Sequence, residues 1–87
     1  MDEKIFVRIC KRLVAEYVNE NIIVSGGATV TEADIYVVWL CKALQNSKAL
    51  LSTTLSDGMY YELTFNGDKN EIYLDAYKKV ENKRIEL

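Results

Sequence analysis

The residues that could do chemistry in this sequence are two cysteines and scattered carboxylates, because the chain contains no histidine. Histidine is the most frequent general base, and it completes the Ser-His and Cys-His pairs of nucleophilic catalysis. Cys10 and Cys41 each lie among apolar neighbours, which is typical of buried free thiols, and they lack the close spacing of a zinc site. The glycines do not have the spacing of a phosphate-binding loop. We therefore predict a protein that is not an enzyme, with no metal, cofactor or small-molecule substrate and with two slowly reacting thiols.

Two carboxylates, Glu62 and Asp75, are predicted to lie directly opposite each other if Gly67–Asn70 forms a four-residue hairpin loop. Like charges in that position destabilise a sheet, so the pair has either a function or a local compensation. It could be a catalytic dyad, an acidic patch for a basic partner, or two solvated carboxylates with Lys69 or Lys79 nearby. No nucleophile, base or metal accompanies the dyad. The functional interpretation that we retain is a tyrosine-rich acidic patch of Tyr60, Glu62, Tyr73 and Asp75.

The N-terminal segment from Lys4 to about Asn19 is predicted to be an amphipathic helix, because its apolar residues recur at intervals of three and four. The opposite side of this helix collects four basic residues, Lys4, Arg8, Lys11 and Arg12. This basic stripe is either a solvated face or a surface for nucleic-acid phosphates. The net charge of −2 supplies no general attraction for nucleic acid, so nucleic-acid binding is the alternative hypothesis.

The first half of the remaining chain is predicted to form a β-hairpin. Ser25-Gly26-Gly27 favours a loop. The segment Thr31–Asp34 could cap a helix, but the β-branched and aromatic residues that follow favour a strand from Ile35 to Leu44, with a helix as the alternative. Gln45–Ser47 is typical of a short hairpin loop, and a second strand is expected from Lys48 to about Leu55.

The second half is predicted to form another hairpin, because apolar and polar residues alternate from Met59 to Asn66 and again from Glu71 to Tyr77. The segment Lys78–Leu87 could continue the edge strand, form a short helix or fray. The predicted fold class is α+β. It has one N-terminal helix packed on a four-stranded antiparallel sheet of two hairpins, in a single domain that spans residues 1–87.

The first predicted strand is apolar on both faces, which a single helix cannot explain. One face would carry Ile35, Val37, Trp39 and Cys41, and the other would carry Tyr36, Val38, Leu40 and Leu44, joined by Leu50 of the second strand. One helix covers one face of such a sheet. The second face is then covered either by the C-terminal segment or by a partner or second copy of the chain. If residues 35–44 formed a helix instead, this second sheet face would not exist and would need no cover.

Three segments resemble a known family: Val37–Ser52, Asp57–Glu62 and Asn66–Lys69. They are similar to a family of small uncharacterised proteins of phages and prophages of Gram-positive bacteria, and the likeness spans roughly residues 31 to 82. The N-terminal helix shares only its amphipathic pattern. The resemblance implies a phage or prophage product that works inside a bacterial cell, where host-takeover and anti-defence binders are common, and it transfers no site residue. Family analogy does not establish function.

The leading hypothesis is a protein-binding module in the host cytoplasm, which could also pair with itself. No stretch approaches the roughly 18 apolar residues of a membrane span, and the acidic start of the chain is not typical of a secretion signal. The alternatives are a nucleic-acid-binding module that uses the basic stripe and a virion or assembly component. The predicted partner-binding residues are Tyr36, Val38, Leu40, Leu44, Leu50, Tyr60, Glu62, Tyr73 and Asp75.

Overall fold

One long helix and four antiparallel strands make up the structure, a computed structural model that describes residues 1–21 and 29–87. The predicted loop at Ser25-Gly26-Gly27 lies outside the described residues. The elements are α1 (Glu3–Asn21), a single 3₁₀ turn (Glu32–Asp34), β1 (Ile35–Ala43), β2 (Asn46–Thr53), β3 (Met59–Asn66) and β4 (Glu71–Lys78). The strands follow one another across the sheet in the order β1-β2-β3-β4. The α+β fold predicted from the sequence is confirmed.

Helix α1 begins with a side-chain cap and buries one stripe of residues. The Asp2 Oδ1 atom accepts a hydrogen bond from the Ile5 amide at 2.9 Å, which satisfies one of the free N–H groups of the first turn. Phe6, Cys10, Val14 and Val18, spaced by four, are all buried. This spacing places their side chains on one side of the helix, against the sheet.

The helix packs on one face of the sheet, which we call the inner face. The rings of Phe6 and Phe65 lie 6.5 Å apart, and the rings of Tyr17 and Tyr61 lie 5.7 Å apart in an edge-on arrangement. The strand residues of this core are Ile35, Ala49, Leu51, Tyr61, Leu63 and Phe65. The opposite side of the sheet, the outer face, has no helix over it in the described part of the chain.

Hydrogen bonds hold the segment that leads into β1. The Asn19 side chain donates to the Val30 carbonyl and accepts from the Val30 amide, both at 2.8 Å, so the end of α1 holds the segment that leads to β1. The Asp34 amide donates to the Thr31 carbonyl at 2.9 Å and closes one 3₁₀ turn, and Asp34 Oδ2 accepts from the Thr31 amide at 2.9 Å and caps it. The structure confirms a strand from Ile35, so the helical alternative for this segment is wrong.

The second hairpin has the predicted register. Glu62 pairs with Asp75 and Phe65 pairs with Ile72 across the loop. The Asn66 side chain accepts from the amides of Asp68 and Lys69 at 3.1 and 3.3 Å, which stabilises the turn locally.

The first hairpin differs from the prediction because β1 contains a β-bulge. Val37 pairs with Leu51 and Trp39 pairs with Leu50, which leaves Val38 as an extra residue. An extra residue inverts the side-chain alternation beyond it. Leu40, predicted on the outer face, therefore pairs with Ala49 on the inner face and packs against the core.

The same inversion moves Trp39 and Cys41 to the outer face, where both are exposed. The turn is also one residue earlier than predicted, because β1 ends at Ala43 and β2 begins at Asn46. Leu44 sits in this two-residue turn with a φ of 57° and is 89% exposed, so it belongs to neither face of the sheet.

The C-terminal segment covers neither face. β4 ends at Lys78, and residues 79–87 form no helix or strand and are exposed throughout. Val80 and Ile85 are 95% and 71% exposed. The hypothesis that this segment covers the outer face is therefore wrong.

The tips of the two hairpins touch at Gly67, which gives a prediction about stability. The Gly67 amide donates to Asn46 Oδ1 at 3.1 Å, and a Cβ atom at Gly67 would overlap the Gln45 carbonyl oxygen. We expect Gly67→Ala to destabilise the protein by roughly 1 to 3 kcal/mol through this overlap. Thermal unfolding followed by circular dichroism measures the effect. Lys69→Ala, an exposed change in the same loop, is the control and should leave the midpoint nearly unchanged; an equal midpoint for both variants would contradict the contact.

Candidate functional site

The outer face carries the candidate site, built from three rows of residues paired across the strands. The rows are Tyr36–Ser52–Tyr60–Tyr77, Trp39–Leu50–Glu62–Asp75 and Cys41–Lys48–Thr64–Tyr73. Each row takes one residue from each strand, and the rows lie next to one another. Aromatic side chains therefore lie at both edges of the face and at its centre.

Aromatic exposure on this face is high. Tyr36 and Trp39 on β1 are 47% and 41% exposed, and Tyr73 and Tyr77 on β4 are 54% and 53% exposed. Val38 is exposed at the bulge beside Trp39. Several exposed aromatic and apolar side chains on one face of a small domain commonly mark an interaction site. Covering such side chains releases about 1.5 to 3 kcal/mol for each one fully buried.

The paired carboxylates have a partial compensation from the neighbouring strand. Lys48 Nζ on β2 lies 3.5 Å from Glu62 Oε1, so Lys48, and neither Lys69 nor Lys79, pairs with this carboxylate in the described residues. Asp75 is exposed and forms no ion pair within the described part of the chain. The like charges are thus only half neutralised.

A third carboxylate belongs to the same surface. Glu71 Oε2 accepts a hydrogen bond from the Tyr73 hydroxyl at 2.6 Å. This hydrogen bond, together with the charge of Glu71, raises the pKa of Tyr73 above its ordinary value. The phenol therefore stays neutral, with its ring exposed on the face.

A shallow groove of about 420 Å³ opens on the outer face beside the turn of the first hairpin. Its lining includes Trp39, Cys41, Lys48 and Thr64. The groove is open to solvent and is wide enough to accept a side chain from another molecule.

The structure brings most of the predicted partner-binding residues together. Tyr36, Leu50, Tyr60, Glu62, Tyr73 and Asp75 share the outer face, and Val38 is exposed beside it. Leu40 and Leu44 do not belong to it, for the reasons given above. Trp39, Tyr77 and Lys48 were missed. The predicted register already placed Tyr77 next to Asp75 and could have revealed it, whereas nothing in the sequence marks the bulge that turns Trp39 outward.

The basic stripe of Lys4, Arg8, Lys11 and Arg12 lies on a different surface. Lys4, Arg8 and Arg12 are exposed and Lys11 is half-buried on α1. Lys4 also lines a groove with Val37 and Leu40 of β1. Because α1 packs on the inner face, the stripe belongs to the helix side of the sheet, whereas the candidate site is on the other side.

Within the described residues, no group of three His, Cys, Asp or Glu side chains is placed to hold a metal ion. None of the helical segments in residues 1–21 and 29–87 could cross a membrane, because none is both long and apolar enough.

The fold and the site define a small α+β domain with one helix on an antiparallel four-stranded meander and an aromatic, acidic outer face. The chain belongs to a family of unknown function (DUF6275), whose family model matches residues 7–87. No curated protein and no solved structure matches the sequence. The expectation of an uncharacterised family is confirmed over nearly the whole chain.

The two thiols are expected to react at very different rates, contrary to the prediction from the sequence. Burial raises the pKa of Cys10 to about 12, so its reactive thiolate is scarce, whereas Cys41 is exposed on the outer face. A chromogenic disulfide reagent at neutral pH should label one thiol per chain without denaturant and two after unfolding. In Cys41→Ser the rapid phase should disappear. Rapid loss of both thiols in the folded wild type would contradict the placement of Cys10 in the core.

Proposed function

We propose that this chain is a protein-binding module that uses the outer face of its sheet. The observation that carries the proposal is a set of exposed rings and apolar groups on a sheet face that no described part of the chain covers. Interfaces between proteins are enriched in tyrosine, tryptophan and other residues of this kind. The chain has no histidine, and its described residues include no group of three His, Cys, Asp or Glu side chains that could hold a metal ion, so the site lacks the usual base and metal of catalysis.

The charge of the face favours a protein over a nucleic acid. Glu62, Glu71 and Asp75 contribute three negative charges and Lys48 contributes one positive charge. Such a surface repels phosphates, while binding to nucleic acid depends on clustered positive charge. The basic stripe of α1 supports nucleic-acid binding as a second candidate, but it consists of a single helix face on a chain of net charge −2.

The proposed setting is a bacterial cytoplasm, with the chain as a phage or prophage product. Its support is the similarity of Val37–Ser52, Asp57–Glu62 and Asn66–Lys69 to proteins of that origin. In this setting a host-takeover or anti-defence factor is the leading role. A virion or assembly component would use the same kind of apolar interface.

Photo-crosslinking tests whether the outer face meets a protein. Replacing Tyr77 with p-benzoylphenylalanine keeps an aromatic ring at an exposed position of β4 and places a reactive ketone there. Irradiation in a lysate of the bacterium that carries the gene should give a protein-sized adduct. The same replacement at Arg12, which is exposed on the basic stripe, is the control and should give none. Adducts from the Arg12 position alone would contradict the proposal.

Binding to DNA is expected to be weak. With four basic residues on one helix face, we expect a Kd no tighter than about 10 μM for short duplex DNA at physiological salt. Fluorescence anisotropy measures the binding, and a variant with alanine at Lys4, Arg8, Lys11 and Arg12 is the comparison. Sub-micromolar binding that the alanine variant loses would favour the nucleic-acid alternative.

A further inference from the structure

We infer that the partner of the outer face is a segment of another protein that presents an arginine and an apolar side chain on the same side, one at each end of the row Trp39–Leu50–Glu62–Asp75. The guanidinium would lie over Glu62 and Asp75, and the apolar side chain would lie over Trp39 and Leu50. This inference rests on the proposed function and specifies the chemistry of the partner.

The charges of the outer face favour a cation on the partner. Glu62 and Asp75 pair directly across β3 and β4, and directly opposed residues have Cβ atoms about 4.5 to 5.5 Å apart. Lys48 reaches Glu62 at 3.5 Å, but no cation of the described residues pairs with Asp75. A planar guanidinium has five N–H donors in a fixed fork, so it can bond one carboxylate with two parallel hydrogen bonds while lying near the second.

The tyrosines beside the carboxylates favour arginine over lysine. Tyr73 and Tyr77 flank Asp75 along β4, at two residues on either side, and both rings are about half exposed. Tyr60 is paired with Tyr77 beside Glu62. A guanidinium stacks on aromatic faces and is more weakly hydrated than an ammonium, so it loses less on entering such a site.

The other end of the same row is apolar. Trp39 pairs with Leu50, next to the groove that Trp39 and Cys41 line. Neighbouring strands lie about 4.8 Å apart, so the centre of the Trp39/Leu50 pair and that of the Glu62/Asp75 pair are roughly 10 Å apart. An extended segment spans that distance in about three residues, so two side chains on its same face would be two or four residues apart. A helix spans the distance in about seven residues.

A second copy of the chain fits this face less well. Two copies stacked face to face would bring together three carboxylates and one lysine from each, and like charges in a desolvated interface repel strongly. An arginine-bearing segment instead neutralises Asp75 and covers the exposed rings. The same charges exclude an occupant rich in phosphate.

Selection of peptides on the full-length protein tests the inference. A display library of random twelve-residue peptides is panned on the wild type, and selected peptides are synthesised and measured by calorimetry. We expect enrichment of arginine with an aromatic or aliphatic residue two or four positions away in extended peptides, or seven positions away in helical ones. Asp75→Asn should weaken binding by about tenfold or more, as expected for loss of a hydrogen bond to a charged group. Replacing the peptide arginine with neutral citrulline should have the same effect.

Matched controls separate this inference from the proposed function. Glu81→Gln removes a carboxylate from the exposed C-terminal segment and should not change the affinity. Trp39→Ala should weaken binding, and circular dichroism checks that each variant remains folded. Peptides that contain no arginine, that bind Trp39→Ala more weakly and that bind Asp75→Asn as tightly as the wild type would overturn the inference. The proposed function would then still stand. Failure to select any peptide that depends on the outer face would overturn both, and a concentration-dependent dimer lost in Trp39→Ala would overturn the choice of partner.

Discussion

The packing of α1 on one face of the sheet is the contact on which the rest of the structure depends. A helix of 19 residues is about 28 Å long and covers a single face of a four-stranded sheet. Its buried stripe, from Phe6 to Val18, meets the rings of Tyr61 and Phe65 and fills the core. Because side chains alternate along each strand, each strand side chain that does not point toward this helix points to the opposite side of the sheet. The outer face is thus a direct result of having one helix.

The core also contains two ionisable groups, and their burial makes the stability of the fold depend on pH at high pH. Burial, with smaller contributions from Asp57 and Tyr17, raises the pKa of Tyr61 to about 12. Burial likewise raises the pKa of Cys10 to about 12. Both groups are neutral when protonated, so the folded state binds these protons more tightly than the unfolded chain. Their contribution is complete below the unfolded pKa values of about 9 and 10 and is lost as the pH rises toward 12. At neutral pH the core is therefore insensitive to these titrations.

The sequence predicted the second hairpin well and the first one only in part, for a physical reason. In β3 and β4 the alternation of apolar and polar residues is strict, and a four-residue loop leaves one register that keeps Phe65 opposite Ile72 on the inner face. In β1 both faces are apolar, so shifting the pairing register by one residue leaves the apolar pattern of each face unchanged. The bulge at Val38 therefore could not be located, and Leu40 and Cys41 were assigned to the wrong faces. Similarly, the ion pair between Lys48 and Glu62 depends on the pairing of β2 with β3, which the order of the strands along the chain does not give by itself.

The bulge connects the core to the proposed site. Without the extra residue Val38, the alternation would carry Trp39 toward the helix and Leu40 outward. With it, Leu40 pairs with Ala49 and packs on the core, while Trp39 joins the row that contains Leu50, Glu62 and Asp75. A bulge also interrupts the edge of the sheet and so disfavours strand pairing along β1. One inserted residue thus directs a leucine into the core and an indole onto the surface, and it favours recognition through the sheet face over recognition through that edge.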